Sequence, residues 1–202
     1  RLSLVGSEMC IRDRFTGPLM AKGFEDTALY IYNRLLSLNE VGGDPGKFGH
    51  SGEEFHRFNL KRVQQWPLSM TATATHDTKR GEDVRARINV LSEIPDEWYK
   101  KVRSWSRMNR KLKTKVGGEK VPDKNDEYAL YQILVGSYPF EQVDLPLFKE
   151  RIKACMIKSV REAKVHTAWI KPDSTYEDAL QDFIENILNP VPENTFFQEF
   201  LE

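Results

Sequence analysis

The sequence has no excess of charge of either sign. Its 30 basic and 30 acidic residues balance to a formal net charge of zero at pH 7. Proteins dedicated to nucleic acids or to anionic membrane surfaces usually carry a basic excess. The balance therefore argues against both kinds of partner. We interpret the basic run RKLKTK at Arg110–Lys115 as a solvated face rather than a nucleic-acid site.

Cysteine, histidine and long apolar runs are also scarce. The two cysteines form no CxxC pair, and none of the four histidines has HExxH or Cys/His spacing. These patterns predict neither a disulfide framework nor a metal site. Hydrophobic residues make up 40% of the chain, its mean hydropathy is −0.56, and its apolar stretches are far short of a membrane span. We expect a soluble protein of the reducing cytoplasm.

The opening segment RLSLVGSEMCIRDR, Arg1–Arg14, shows neither a helical nor a strand period. It resembles a translated sequencing-adapter read-through, and we exclude it from fold reasoning as a non-native segment. The alternative is a frayed native terminus. If the segment is an artefact, the native chain continues upstream of Phe15.

Hydrophobic periodicity predicts a mostly helical chain after this segment. A Gly-rich loop is predicted at 39–52 and a polar loop at Val116–Asn125, because glycine and proline cluster there. The predicted helices are Met20–Leu38, Glu53–Gln65, Glu82–Leu91, Pro95 to about Lys113, Asp126–Gly136, Leu147 to about Lys164, and Tyr176–Leu188.

The run TATATHDTKR at 71–80 carries the strongest functional signal. Thr71, Thr73 and Thr75 alternate with alanine, which is the two-residue period of a β-strand. The predicted strand ends at His76-Asp77, and a helical run follows. A strand that ends in polar residues before a helix is typical of the reactive face of a (β/α) barrel. One strand cannot form a sheet alone, so we expect its partners in upstream sequence.

Several long blocks resemble one protein family. They are GPLMAKGFEDTALYIYNRLLSLNEVGGDP (17–45), FHRFNLKR (55–62), WPLSMTATATHDTKRGEDVRARINVLSEIP (66–95), Asn125–Pro139 and Lys158–Leu180. Together they resemble the maltooligosyl trehalose synthases, the trehalose-forming branch of the α-amylase clan of glycoside hydrolases.

The resemblance implies the last strands and helices of a (β/α)8 TIM barrel plus a C-terminal helical region. Residues 15–115 would be the C-terminal part of the catalytic barrel with a helical insertion. Residues 116–202 would be the helical end of the barrel and the C-terminal helical region. The chain would thus be a mostly α fragment of an α/β protein.

The activity that the resemblance implies is intramolecular transglucosylation. The parent enzyme is an isomerase, a (1→4)-α-D-glucan 1-α-D-glucosylmutase. It relinks the reducing-end glucose of a maltooligosaccharide or α-glucan from an α-1,4 to an α,α-1,1 bond. The resemblance also implies a functional partner, maltooligosyl trehalose trehalohydrolase, that would act on the product. Neither an organic cofactor nor a metal is implied, and we expect the fragment alone to be inactive.

The resemblance assigns Asp77 to the carboxylate that stabilises the transition state, and His76 to a hydrogen bond with the same glucose. The nucleophile and the general acid would lie upstream. The local pattern alone also allows Asp77 to be a helix N-cap. Lys79 and Arg80 suit either contact with the acceptor sugar or a solvated helix start.

Further polar residues have two interpretations each. Lys22, Glu25 and Asp26 suit a substrate-side role or helix capping and ion pairing. Glu40 and its Gly-rich loop neighbours Asn39 and Asp44 suit turn formation or sugar contact. The run REAKVH at 161–166 suits the far side of the site or a buried ion-pair cluster, and we favour the cluster.

Two other functions remain open at this stage. One is plain α-glucan hydrolysis by an enzyme of the same clan. The other is a non-catalytic helical module that binds carbohydrate or a partner protein. A free-standing module should bury its own core and bind sugar alone, whereas a fragment should expose the side that faced its missing strands.

Overall fold

The structure is a computed structural model that describes residues 2–141 and 143–202, with side chains from residue 9 onward. It confirms a mostly helical chain. The helices are α1 Leu2–Pro18, a π-helix Leu19–Ala28, α2 Leu29–Ile31, a 3₁₀ turn Leu36–Leu38, α3 Gly52–Gln65, α4 Glu82–Val90, α5 Pro95–Asn109, a 3₁₀ turn Arg110–Leu112, α6 Lys124–Ser137, α7 Leu145–Ala163, α8 Ser174–Ile187 and α9 Thr195–Leu201.

Most of the predicted helices begin where a side chain can satisfy free backbone N–H groups. Ser51 and Glu54 form a reciprocal capping box at the start of α3. Asp123 caps α6 and Asp173 caps α8, in each case by accepting the N–H three residues on. At these positions the predicted and observed helix bounds differ by only a few residues. The caps explain this agreement, because they are local signals of where a helix begins.

Helix α6 lies at the centre of the core. Leu130, Tyr131 and Leu134 are completely buried, and α6 packs against α4, α5 and α7. The helices approach closely at Gly136, where a Cβ atom would lie 2.9 Å from Cγ1 of Val84 and 3.0 Å from Cγ1 of Ile88. Only glycine allows this approach without a shift of the α4 side chains.

An aromatic cluster joins α5, α6 and α9. The ring of Trp105 lies edge-on to Tyr131 at 5.5 Å and to Phe196 at 5.4 Å between centroids. Trp98 meets Trp105 at 5.8 Å in the same geometry. Edge-to-face contacts of this kind add to the large apolar area that aromatic rings bury. The cluster therefore closes the C-terminal end of the chain onto α6.

A buried polar network supports the same region. Glu127, 3% exposed, accepts hydrogen bonds from Ser106, from Lys113 at 3.0 Å and from the hydroxyl of Tyr131. A buried carboxylate needs such partners because desolvation would otherwise oppose its charge. The interpretation of RKLKTK as a solvated face is therefore wrong for Lys113, whose side chain is 7% exposed.

The predicted strand at 71–75 is wrong for this chain. Its residues have no regular structure, and all of them are exposed. A strand needs a neighbour that accepts and donates its backbone hydrogen bonds. Within the described residues this segment finds none, so its alternating pattern has no sheet to join.

The polar loop predicted at Val116–Asn125 is also partly wrong. Strands β1, Thr114–Val116, and β2, Glu119–Val121, pair antiparallel there as a short hairpin. The turn holds Gly117 and Gly118, both with positive φ, as a tight two-residue hairpin connection requires. The Gly-Gly pair is the sequence signal for this hairpin. The flanking strands have only three residues each, too few to show a strand period.

The N-terminal predictions also need correction. Helix α1 covers most of the segment judged to lack a period, although Arg1 lies outside the described residues. From residue 9 to residue 18 every side chain of the helix is exposed, so this part of it has no buried face that would favour an apolar period. The helix predicted at Met20–Leu38 ends at Ile31. After this end, Nδ2 of Asn39 donates hydrogen bonds to the carbonyl oxygens of Leu29 and Tyr32, at 2.9 and 2.7 Å.

Candidate functional site

His76 and Asp77 lie at the tip of an exposed turn. The hydroxyl of Thr78 accepts the N–H of Thr75 at 2.5 Å and donates to its carbonyl oxygen at 2.8 Å. These bonds close the chain around the pair and leave both side chains exposed. Helix α4 starts later, with Gly81 as its N-cap. The alternative role of Asp77 as a helix cap is therefore wrong.

Lys79 and Arg80 turn back toward the protein. The side chain of Lys79 is only 5% exposed, with its Nζ 3.2 Å from Oδ1 of Asp26 and 4.8 Å from the ring centroid of Tyr30. The guanidinium of Arg80 donates to the carbonyl oxygen of Leu36 at 3.3 Å. The interpretation of the two residues as a solvated helix start is therefore wrong.

Asp26 joins two of the candidate cations. Lys22 donates to Oδ2 of Asp26 at 2.5 Å, while Lys79 binds Oδ1. Burial favours the neutral acid, but the two lysines outweigh it and lower the pKa of Asp26. The hydrogen bond to Asp26 is the main reason that the pKa of Lys22 is raised, and the negative charge of Asp77 adds to it. The turn and the π-helix thus face one another.

The Gly-rich loop at 39–51 supplies the remaining contacts. Glu25 accepts the N–H of Gly42 at 3.0 Å, so its carboxylate is used within the protein. Glu40 accepts the N–H groups of Lys79 and Arg80 at 2.7 and 3.2 Å. Asp44 accepts the N–H of Gly46 in its own turn at 2.9 Å. The sequence allowed Glu40 either turn formation or sugar contact. It gave no signal that Glu40 binds the backbone of Lys79 and Arg80.

The run at 161–166 forms interhelical contacts. Arg161 makes two hydrogen bonds to Glu177 of α8, at 2.8 and 2.6 Å, and Glu177 also accepts from Thr167. Lys164, with a left-handed φ of 57°, reaches the hydroxyl of Thr27 at 2.6 Å. The favoured interpretation as an ion-pair cluster therefore agrees with the contacts of Arg161.

Within the ranges described, one group of side chains has the composition of a metal site. Asp123, Asp126 and His166 bring ligand atoms within 4.8 Å of one another. Their oxygens already have partners, since Asp123 binds His166 at 2.8 Å and Asp126 accepts from the hydroxyl of Tyr176 at 2.5 Å. Burial raises the pKa of Asp126. The group is a hydrogen-bonded brace between α6 and α8.

Solved structures share this fold. The chain is 49% identical to a hypothetical maltooligosyl trehalose synthase of Sulfolobus tokodaii, with a TM-score of 0.75 over 90% of this chain and 23% of that one. It is 36% identical to the maltooligosyltrehalose synthase of Arthrobacter ramosus, with a TM-score of 0.71 over 92% of this chain and 22% of that one. The chain is therefore similar to this class of synthases over about nine tenths of its own length.

A curated relative carries the same name. The chain is 37% identical over 185 residues to a putative maltooligosyl trehalose synthase of Mycobacterium tuberculosis, covering 91% of this chain and 23% of the relative. The resemblance found in the sequence blocks is thus confirmed. The chain spans about a quarter of the length of the proteins that it matches. No family model matches the chain.

Among the described residues, no helix is both long enough and apolar enough to cross a bilayer.

Proposed function

We propose that this chain is part of an enzyme that converts maltooligosaccharides or α-glucan into maltooligosyl trehalose by intramolecular transglucosylation. The observation that carries the proposal is Asp77, an exposed carboxylate at the tip of a turn whose following residues are anchored in the protein. The similarity to named synthases over about nine tenths of the chain supports the choice of reaction.

In this proposal Asp77 stabilises an oxocarbenium-like transition state. Positive charge develops on the sugar ring during glycoside cleavage, so a fixed carboxylate helps more in the transition state than in the ground state. His76 at the same tip donates a hydrogen bond to a hydroxyl of that glucose. The nucleophile and the general acid belong to the rest of the enzyme.

The other candidate residues divide by exposure. Lys22 is 73% exposed and remains a candidate for direct contact with substrate. Asp26, Glu25, Lys79 and Arg80 direct their polar groups at other parts of the chain. We propose that these four order the substrate-side surface, and any direct contact with sugar would follow a rearrangement of those bonds.

The proposal includes a (β/α)8 barrel in the complete protein. Residues 71–75 have the strand pattern that such a barrel requires, and neighbouring strands would supply the missing hydrogen bonds. The exposed Trp66, Leu68 and Met70 just before them would gain cover at the same time. The proposed boundary between the barrel part, 15–115, and the helical end, 116–202, falls within strand β1.

Product analysis tests the reaction. A complete synthase that carries this segment in place of its own should be incubated with maltopentaose. Transglucosylation predicts that reducing ends disappear while the total glucose content stays constant. A rise in reducing ends would instead indicate the same-clan hydrolase. Sugar binding by the 202-residue chain without any turnover in the complete protein would indicate a binding module.

A cytoplasmic location and a partner trehalohydrolase complete the proposal. The product has lost its reducing end, so only an enzyme that cuts next to the trehalose unit can release trehalose from it. Trehalose release on addition of such a hydrolase to the reaction products would support this place in the sequence of reactions.

A further inference from the structure

We propose that Glu40 is a positioning residue for Asp77, an assignment that rests on the proposed function. The carboxylate of Glu40 holds the backbone immediately after the turn that carries Asp77. It does so from a loop that is 39 residues away along the chain. Glu40 acts through this backbone and not by contact with the substrate.

Both carboxylate oxygens of Glu40 bind the backbone after the turn, and we call this pair of hydrogen bonds the clamp. Oε1 of Glu40 accepts the N–H of Lys79 at 2.7 Å, and Oε2 accepts the N–H of Arg80 at 3.2 Å. Hydrogen bonds to an ionised carboxylate are about twice as strong as those between neutral groups. Two such bonds on successive residues fix both the position and the direction of the chain there.

Glu40 is itself held in place. The preceding Asn39 is buried and donates to two carbonyl oxygens at the end of the α2 region. After Glu40 the chain turns sharply, and the N–H of Gly43 binds the carbonyl oxygen of Glu40 at 2.8 Å. A Cβ atom on Gly43 would lie 2.9 Å from that oxygen. These contacts therefore hold the backbone of Glu40, from which its carboxylate extends, in one position.

The clamp also links the turn to the helical core. Gln132 of α6, completely buried, accepts the N–H of Leu36 at 2.9 Å and donates to the carbonyl oxygen of Asn33 at 3.0 Å. Segment 33–40 is thereby fixed on α6, and Glu40 extends this support to residues 79–80. Asp77 lies two residues before Lys79, the first residue whose N–H Glu40 binds.

Amide exchange tests the clamp in the 202-residue chain. In Glu40→Ala the N–H groups of Lys79 and Arg80 lose a charged acceptor, so we expect them to exchange about tenfold faster or more. Glu40→Gln keeps one acceptor oxygen and should lie between. Asp44→Ala is the matched control, because Asp44 caps its own turn and should leave these amides unchanged. Unchanged exchange in Glu40→Ala would overturn the proposal.

Kinetics test the consequence for Asp77 in the complete synthase that carries this segment. A misplaced catalytic group lowers turnover steeply, so we expect Glu40→Ala to reduce kcat about 10- to 100-fold with little change in KM. Glu40→Gln should restore part of the rate, and Asp83→Asn, on the exposed first turn of α4, should be near normal. A normal kcat in Glu40→Ala would contradict positioning of Asp77.

The two tests separate this proposal from the proposed function. If Glu40→Ala speeds amide exchange while the unmutated complete protein only releases reducing sugar, the clamp is supported and the transglucosylase assignment falls. If the complete protein forms trehalose linkages and Glu40→Ala changes neither exchange nor kcat, the assignment of function stands and the clamp falls.

Discussion

Two regions of this chain bury similar residues to very different extents. In the helical body, residues 82–201, Phe183 and Leu180 are completely buried. In the arm, residues 52–77, Phe55 is 60% exposed and Leu68 is 97% exposed. Both regions have helices, and the helix of the arm has a complete capping box. Local helix signals therefore do not distinguish the two.

The difference lies in the surfaces available for burial. The body supplies its own partners, because α4 to α9 pack around α6. The apolar side chains of the arm, among them Phe55, Trp66 and Leu68, are instead exposed. His76 and Asp77 are the last two residues of the arm. The candidate catalytic turn therefore lies between the packed helical body and the exposed arm.

The largest expected contrast is between two phenylalanines. Phe183→Ala removes a fully buried ring and should lower the free energy of unfolding by about 3–5 kcal/mol. Phe55→Ala on the exposed face of α3 should change it by at most about 0.5 kcal/mol. Urea unfolding of the 202-residue chain measures both. Equal losses would show that the arm is packed as firmly as the body.

Two glycines give a smaller contrast. Gly136→Ala places a methyl group against Val84 and Ile88 of α4, and this overpacking should cost about 1–3 kcal/mol. Gly52 at the start of α3 has open space around it, so Gly52→Ala should be near neutral or slightly stabilising, by at most about 1 kcal/mol. Thermal unfolding compares the pair, and a tolerated Gly136→Ala would contradict the close α4–α6 contact.

Two glutamates sharpen the comparison through pH. Glu177 is buried against Arg161, which is the main reason that its pKa is lowered from 4.5. A lowered carboxyl pKa stabilises the fold above the unfolded-state value and loses that effect as the pH falls through the folded-state value. Glu177→Gln should therefore cost about 1–3 kcal/mol at pH 7, and the difference from the unmutated chain should shrink below about pH 4.5.

Glu53 is the matched control in the arm. Its ion pair with Arg57 spans 3.6 Å and both side chains are mostly exposed. Exposed pairs of this kind contribute little, so Glu53→Gln should change the stability by about 0.5 kcal/mol or less. Denaturant unfolding at pH 7 and at pH 4 measures the set. A pH-independent effect of Glu177→Gln would contradict the charged role of Glu177.

The helices could be predicted because their signals are local. Helix α8, for example, has Asp173 as its cap and an apolar stripe that includes Leu180 and Phe183. The strand predicted at 71–75 is wrong for this chain, because a strand depends on hydrogen bonds to a neighbouring strand that a local pattern does not supply. The N-terminal helix was missed for a different reason, because its sequence has no helical period.

In the candidate site, too, the local feature could be predicted from the sequence and the long-range contacts could not. The sequence located His76 and Asp77 at the end of a regular pattern, and the structure places them at an exposed turn. It could not show that Lys79 binds Asp26 or that Glu40 holds residues 79–80. These contacts join residues 39 to 53 positions apart, and no local period encodes them.

The most direct test of the account is the turnover of Asp77→Asn in a complete synthase that carries this segment. Asparagine has nearly the same shape but lacks the negative charge that would stabilise the transition state. We expect kcat for formation of the trehalose linkage to fall by about 100- to 1,000-fold, the range for loss of one group that stabilises a transition state. The fold and KM should change little.

Asp83→Asn, on the exposed first turn of α4, provides the control and should keep normal turnover. The measurement follows the loss of reducing ends from maltopentaose for both variants and for the unmutated protein. A selective loss in Asp77→Asn is the result that we predict. Near-normal kcat in Asp77→Asn would contradict the central claim that the exposed turn carries a catalytic carboxylate.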